Sequence, residues 1–293
     1  MAPAIRPSYV GRFAPSPTGP LHFGSLVCAL ASYLDAKRHG GKWLLRIEDI
    51  DPPREQPGAA DSIKRTLEAH GLFWDGEVRY QSQRSDAYWG YLNHLKKLDL
   101  LYPCNCTRAR LAPLHGRYDG HCRYSHPSAD EPCALRLKVT DLPLAFSHLE
   151  HKITFTDRIC GEQYEDINQV SGDFVIHRKD GLFAYQLAVV VDDIDQGITD
   201  IVRGDDLLDT TARQIFLYHI LGKTPPSYAH IPVIKDKNGN KLSKQNHAPA
   251  VDINSAQVNI YNALSCLGYS PSKTSDISGL LADAISYGQK SSG

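Results

Sequence analysis

The chain has 293 residues, enough for two domains of ordinary size or one large α/β domain carrying an insertion. Apolar residues make up 42% and charged residues 22%, a globular composition that excludes a disordered or fibrous protein. Lys and Arg total 32 against 33 Asp and Glu, so no protein-wide positive field marks a nucleic-acid partner, and any RNA contact must use local patches.

No apolar run approaches the roughly 18 residues of a membrane span; the best, Leu187 to Val191, is strand-sized. The start, MAPAIRPSYVGRF, lacks the apolar stretch of a secretory signal. The 7 cysteines are an odd number: Cys104, Cys106 and Cys122 cluster, while Cys28, Cys133, Cys160 and Cys266 stand alone. That pattern predicts thiols in a reducing compartment, the cytoplasm, with one metal site.

No internal repeat is visible. In chain order, Val10 to Ala14 reads as a short buried strand running into the loop PSPTGP. Leu26, Leu30 and Leu34 then recur at helical spacing until Gly40-Gly41 stops the helix. Trp43 to Ile47 is a second strand ending in Glu48, Asp49 and Asp51, which completes a βαβ unit with a parallel sheet. In such sheets ligands sit beyond the carboxyl ends of the strands, where both the loop and the acidic cluster fall.

Amphipathic helices are predicted near Ala59–His70 and Ser85–Leu98, with Ser85 as N-cap. From about Leu101 to Gln169 helical periodicity gives way to cysteines, histidines, prolines and short β-like runs, the texture of an inserted module. The doubly wound pattern is expected to resume at Phe174–His177 and, after the Lys179-Asp180-Gly181 turn, through Phe183–Val191. A helix over Thr210 to Leu221 should end with Gly222 at C′, and the final KSSG should fray.

Two segments carry phosphate chemistry. His22-Phe23-Gly24-Ser25 opens a helix, whose N-terminal N–H groups suit phosphate, and Gly24 permits close backbone approach. Far along the chain, Lys241-Leu242-Ser243-Lys244-Gln245 offers two lysines on a turn-rich loop, suited to a polyphosphate. A third constellation, Cys104-x-Cys106 and Cys122, offers three thiolates that suit a zinc ion, with His115 and His121 nearby as candidates for a fourth ligand. Arg108, Arg110, Arg117 and Arg123 surround it against Asp119, the best local candidate for an RNA phosphate patch.

Taken together, HxGS and KLSKQ resemble the two signature motifs of class I aminoacyl-tRNA synthetases. HxGS lacks the second histidine of the fullest form, and Gln245 stands where a final Ser or Arg is usual. The segments GRFAPSPTG, LLRIEDID and VVVDDIDQGITDIVRGDDL are similar to the glutamyl-tRNA synthetase branch, and DIDPPREQPGAA and KLSKQNHAPA to a short paralogous group within it. The resemblance implies a Rossmann-type, doubly wound α/β catalytic domain with an inserted zinc module. Residues 1–100 and 171–250 would form its two halves and 101–170 the insert. Residues 251–293 would be a short helical segment with no anticodon-binding domain.

It further implies ATP with magnesium as substrate, held by His22, Gly24, Ser25, Lys241, Ser243 and Lys244, with His22 and Lys244 catalytic. Glutamate would be bound by Arg12, Phe13, Ala14, Pro15, Ser16, Glu48, Tyr185 and Arg203, and zinc by Cys104, Cys106, Tyr118 and Cys122. The charges fit: two carboxylates and one ammonium require bidentate cations and an acidic acceptor. Asp49 and Asp51 are open between helix capping and magnesium. In the short group, glutamate is activated without tRNA and joined to the queuosine base in the anticodon stem-loop of tRNA(Asp). The alternatives are a shortened enzyme charging the 3′ terminal ribose and a non-catalytic tRNA- or amino-acid-binding paralogue. A monomer is the expected state.

Overall fold

The structure, a computed structural model, describes residues 8–125, 127, 131–234, 249–273 and 275–290. Lys241, Ser243 and Lys244 of the KLSKQ motif, and Ser291 to Gly293 of the terminal KSSG, lie outside the described residues. The strands are β1 (Val10–Phe13), β2 (Lys42–Ile47), β3 (Arg79–Tyr80), β4 (Leu101–Cys104), β5 (Ala134–Leu137), β6 (Lys152–Asp157), β7 (Gly161–Asp166), β8 (Phe174–His177), β9 (Asp200–Gly204) and β10 (Ser227–Ile231). The helices are α1 (Phe23–Arg38), α2 (Ala59–Ala69), α3 (Ser85–Lys97), α4 (Arg108–Leu111), α5 (His121–Ser125), α6 (Ile167–Val170), α7 (Tyr185–Asp195), α8 (Leu208–Ile220), α9 (Ala256–Cys266) and α10 (Ile277–Lys290).

These elements form two compact units: Met1–Gln81 with Gly197–Leu208 and Pro226–Gly293, and Ser82–Gln196 with Asp209–Pro225. In the first, β1, β2 and β3 pair in parallel, as do β9 and β10. β9 lies beside β1, where the Thr199 N–H donates to the Val10 carbonyl at 2.9 Å and the Thr199 hydroxyl accepts the Val10 N–H at 2.9 Å. The expected βαβ unit is therefore present. Its helix ends at Arg38, followed by Gly40 at φ 62° and by Gly41, where a Cβ would collide with the Tyr9 carbonyl oxygen.

Helix α1 packs against β1, β2 and β9 and also against α9 and α10. Leu26, Leu30 and Leu34 share a buried core with Trp43, Leu45, Ile260, Leu264, Leu280 and Leu281. Each such leucine contributes about 1.5–3 kcal/mol by leaving water. The C-terminal helices thus complete the core around α1.

In the second unit, β4, β5 and β8 form an antiparallel sheet and β6 pairs with β7 as a hairpin. Helices α3 and α7 pack together through Asp192, whose carboxylate accepts from the Tyr88 hydroxyl at 2.7 Å and from Arg84 Nε at 3.0 Å.

Four local expectations are corrected. Phe174–His177 is a strand, but it pairs antiparallel with β5 rather than extending the parallel sheet, because a four-residue run carries no information about its partner. Leu187 to Val191 is helical, all of it buried within α7. A helix covered on every side loses its amphipathic period and imitates a buried strand. Ser85 is the first helical residue of α3, with Arg84 at the cap position and no side-chain cap. Helix α8 begins at Leu208, two residues before the predicted Thr210, and Gly222 takes the left-handed C′ position at φ 64°.

Candidate active site and metal-binding cluster

Beyond β1 the chain leaves the sheet through Ala14 to Pro20. Pro15 and Pro17 have no N–H to satisfy, and their carbonyls accept from the Glu48 and Gln56 N–H groups at 3.0 Å each, tying the loop to the segment after β2. The loop delivers His22 to the N-cap of α1, with Nδ1 accepting the Ser25 N–H at 3.2 Å and Nε2 lying 3.0 Å from Ser25 Oγ. An accepting Nδ1 leaves the proton of a neutral imidazole on Nε2, so His22 satisfies one end-of-helix donor and orients the Ser25 hydroxyl. A Cβ on Gly24 would come within 3.3 Å of the His22 ring; glycine keeps that space open.

The described residues that flank positions 235–248, among which the KLSKQ motif falls, meet the same helix start. On one side, Ile234 lies against Gly24, 3.7 Å from where a Cβ would stand. On the other, Ala250 bridges His22 and the Val251 N–H donates to the Leu21 carbonyl at 2.9 Å.

Strand register places two of the expected amino-acid ligands. Arg12 lies opposite Leu44, so it shares a sheet face with Arg46 and, two residues on, Glu48. Arg12 and Arg203 are each 4% exposed and Glu48 7%, three ionic groups withdrawn from water. Arg46, wholly buried, places Nη2 3.3 Å from Glu48 Oε1. Burial pushes the Cys28 thiol up to about 11; Arg12 pulls it down, Asp206 pushes it up, and a Gly204 backbone hydrogen bond and Arg203 pull it down. One α1 sulfur thus senses both guanidiniums, which places Arg12 and Arg203 in a common neighbourhood. Ser16 is exposed, and Tyr185 is the first residue of α7 in the second unit. Asp51 sits at the cap position of a short 3₁₀ turn but makes no cap bond; its carboxylate accepts from Arg54 Nε at 2.5 Å.

Sequence reasoning passed over Arg46 and His230 and took Cys28 only as an isolated thiol. Arg46 was legible as an alternate-position charge in an apolar strand; the other two depend on which elements meet.

In the second unit, Cys104 ends β4, Thr107 caps α4 by accepting the Arg110 N–H at 3.2 Å, and Cys122 lies in α5. The three sulfurs lie within 4.8 Å of one another, with Cys106 and Cys122 3.4 Å apart. The Tyr118 hydroxyl is 3.5 Å from Cys104 Sγ and 3.7 Å from Cys106 Sγ, and accepts the Cys122 N–H at 2.8 Å. Tetrahedral ligands at about 2.0–2.3 Å from an ion stand roughly 3.5–3.8 Å apart, so this donor set fits a metal ion. His115 and His121 are exposed, whereas Tyr118 is buried among the thiols.

Burial, with the neighbouring thiols, drives the Tyr118 phenol far above its usual range and pushes Cys106 up to about 11. Burial also opposes a Cys122 thiolate, but hydrogen bonds with Tyr118 and Cys106 outweigh it and hold Cys122 at about 7. Arg136 supplies the local cation: its guanidinium lies 3.7 Å from the Tyr118 ring centroid, and its Nε donates to Cys104 Sγ at 3.2 Å. The expected arginine patch is smaller than its sequence suggested. Arg110 pairs with Asp119, Arg123 is engaged by Asp141 and Asp173, and Arg117 Nε donates to the Asn168 carbonyl.

The family described as tRNA synthetases class I (E and Q), catalytic domain, matches residues 9–279. A glutamyl-Q tRNA(Asp) synthetase of Vibrio vulnificus is 52% identical over 262 residues, covering 89% of this chain and 82% of that protein. One of Escherichia coli K12 is 52% identical over 261 residues, covering 89% and 81%. Among solved structures, a glutamate tRNA ligase from Elizabethkingia meningosepticum in complex with its amino acid superposes with a TM-score of 0.78 at 28% identity. The match covers 95% of this chain but only 64% of that ligase, so the chain spans less than two thirds of its length.

Proposed function

Because the chain belongs to the class I tRNA synthetases of the glutamate and glutamine type, and within them to the glutamyl-Q tRNA(Asp) synthetases, we propose that it activates L-glutamate with ATP and transfers it to queuosine in the anticodon of tRNA(Asp). The observation that supports the active-site reading is the meeting of Ile234 and Ala250, the described residues on either side of positions 235–248, with the start of α1 beside His22 and Gly24.

In the first step a glutamate carboxylate oxygen attacks the α-phosphorus of ATP, and pyrophosphate leaves with the electron pair of the broken P–O bond. The N–H groups at the start of α1 and the Ser25 hydroxyl face phosphate oxygens, while Lys241 and Lys244 neutralise charge developing on the leaving group and the Ser243 hydroxyl donates a hydrogen bond to it. Arg12 and Arg203 take the glutamate carboxylates and Glu48 the ammonium, with Arg46 holding Glu48 in place. Ala14 to Ser16 and Phe13 line the approach from β1. Magnesium accompanies the nucleotide as a phosphate counter-ion.

In the second step a cyclopentene hydroxyl of queuosine attacks the acyl carbon of glutamyl-adenylate. The hydroxyl proton is lost and AMP departs. Loop bases of the anticodon arm would be read in the unstacked state, with phosphate contacts fixing its position. Among the described residues no helix is long and apolar enough to cross a membrane; a monomer working in the cytoplasm, where the tRNA is, belongs to the same proposal.

The acceptor is tested directly. Queuosine-containing tRNA(Asp) stripped of its 3′-CCA end should still accept labelled glutamate, queuosine-free tRNA(Asp) should not, and nuclease digestion should place the label in the anticodon fragment. Loss of labelling on removal of the CCA end would establish a 3′-charging enzyme instead.

For the cluster, the ion the donors suit is zinc, held by Cys104, Cys106, Tyr118 and Cys122. Bound there, it would lend the module structural stability and favour deprotonation of its ligands. The purified protein should carry about one zinc per chain, and Cys104→Ser should reduce that content while leaving adenylate formation less affected than transfer to RNA. Metal analysis showing no zinc after chelator-free purification would remove the site.

A further inference from the structure

We infer that His230 is a positioning residue for amino-acid activation: it holds the Arg203 guanidinium in the orientation that receives a glutamate carboxylate. The inference rests on the reading of Arg203 as a glutamate ligand.

The argument begins with register. In the parallel ladder of β9 and β10, Arg203 stands directly opposite His230, and Tyr228 is two residues before His230. Paired residues of neighbouring strands project from the same side of the sheet, as do residues two apart, so all three side chains share one face. The Tyr228 and His230 rings are stacked, with an interplanar angle of 10° and a centroid separation of 6.0 Å. The Arg203 guanidinium lies 5.2 Å from the Tyr228 ring centroid, within cation–π range.

The decisive contact is at the edge of the guanidinium. Arg203 Nε donates to His230 Nε2 at 2.9 Å, and Nη2 donates to the Leu207 carbonyl at 3.4 Å. A histidine that accepts at Nε2 must be unprotonated there, so its ring proton sits on Nδ1. Such a neutral acceptor suits this place: a carboxylate in its stead would neutralise Arg203 and compete with an anionic substrate. His230 thus restrains the cation without consuming its charge. An arginine otherwise samples many rotamers, and ordering it during folding removes that cost from substrate binding. His230 is wholly buried and Arg203 is 4% exposed, so water offers no ready substitute for the contact.

The test uses the full-length protein in glutamate-dependent ATP–pyrophosphate exchange. His230→Leu should raise the KM for glutamate by about tenfold or more while the KM for ATP stays within about twofold. His230→Gln, whose amide oxygen reaches nearly the position of Nε2, should recover most of the loss. If His230→Leu does not fold, His230→Asn takes its place, because it keeps an acceptor but withdraws it by about a bond length; it should fall below His230→Gln in glutamate affinity. A glutamate KM unchanged in the leucine variant, equal rises in both KM values, or no advantage of glutamine over leucine or asparagine would overturn the inference. Arg203→Lys, run in parallel, separates this from failure of the underlying reading: if that substitution leaves the glutamate KM unchanged, Arg203 is not a glutamate ligand.

Discussion

Replacing Lys244 by alanine is expected to lower glutamate-dependent ATP–pyrophosphate exchange by about 100-fold or more. The argument is electrostatic. Attack on the α-phosphorus transfers negative charge onto pyrophosphate, and a lysine ammonium that meets this charge more closely in the transition state than in the ground state lowers the barrier selectively. Ile234 and Ala250, the described residues that flank the stretch carrying Lys244, both lie at the His22-Gly24 start of α1, the helix end that suits phosphate. The loss should fall mainly on kcat, with the KM for glutamate little changed, because Arg12, Glu48 and Arg203 are untouched. The thermal transition should also be unchanged, since the substitution removes no part of the described core. Exchange within a factor of two of wild type would detach Lys244 from catalysis.

Arg46→Met is expected to destabilise the protein by about 3–5 kcal/mol, read as a fall in melting temperature of about 10 °C. Arg46 is wholly buried and Glu48 is 7% exposed, with Nη2 and Oε1 3.3 Å apart. Removing the cation leaves a carboxylate in a low-dielectric site without the guanidinium beside it, and that desolvation cost far exceeds the net worth of the intact pair. Methionine fills most of the volume, so the loss reports charge more than cavity. Arg46→Met combined with Glu48→Gln should recover part of the stability, because a buried negative charge is removed as well, while glutamate activation stays poor for want of an anionic acceptor for the ammonium. A drop of under about 2 °C in the single variant would mean that the pair contributes little to folding.

Local features of this fold were legible in the chain itself. Leu26, Leu30 and Leu34 announce α1, Gly40-Gly41 its end, and Gly222 the end of α8, since each depends on residues a few positions away. The clustering of Cys104, Cys106 and Cys122 was equally visible because these residues are near neighbours in sequence. Leu187 to Val191 misled for the opposite reason: complete burial of α7 erased the amphipathic contrast from which a helix is recognised.

Composition and periodicity therefore determined the parallel βαβ start, and the paired HxGS and KLSKQ motifs pointed to the family that the match over residues 9–279 establishes. Tertiary structure alone decided that β8 joins an antiparallel sheet, that α9 and α10 complete the core around α1, and that Tyr118 rather than His115 or His121 meets the thiols. It also decided that Arg203 meets His230 and that Cys28 senses both Arg12 and Arg203. The physical reason is range. Helix period, caps and turns are set by neighbours within a few residues, whereas strand pairing and the surroundings of a buried charge are set by segments far apart in sequence, whose meeting no local pattern encodes.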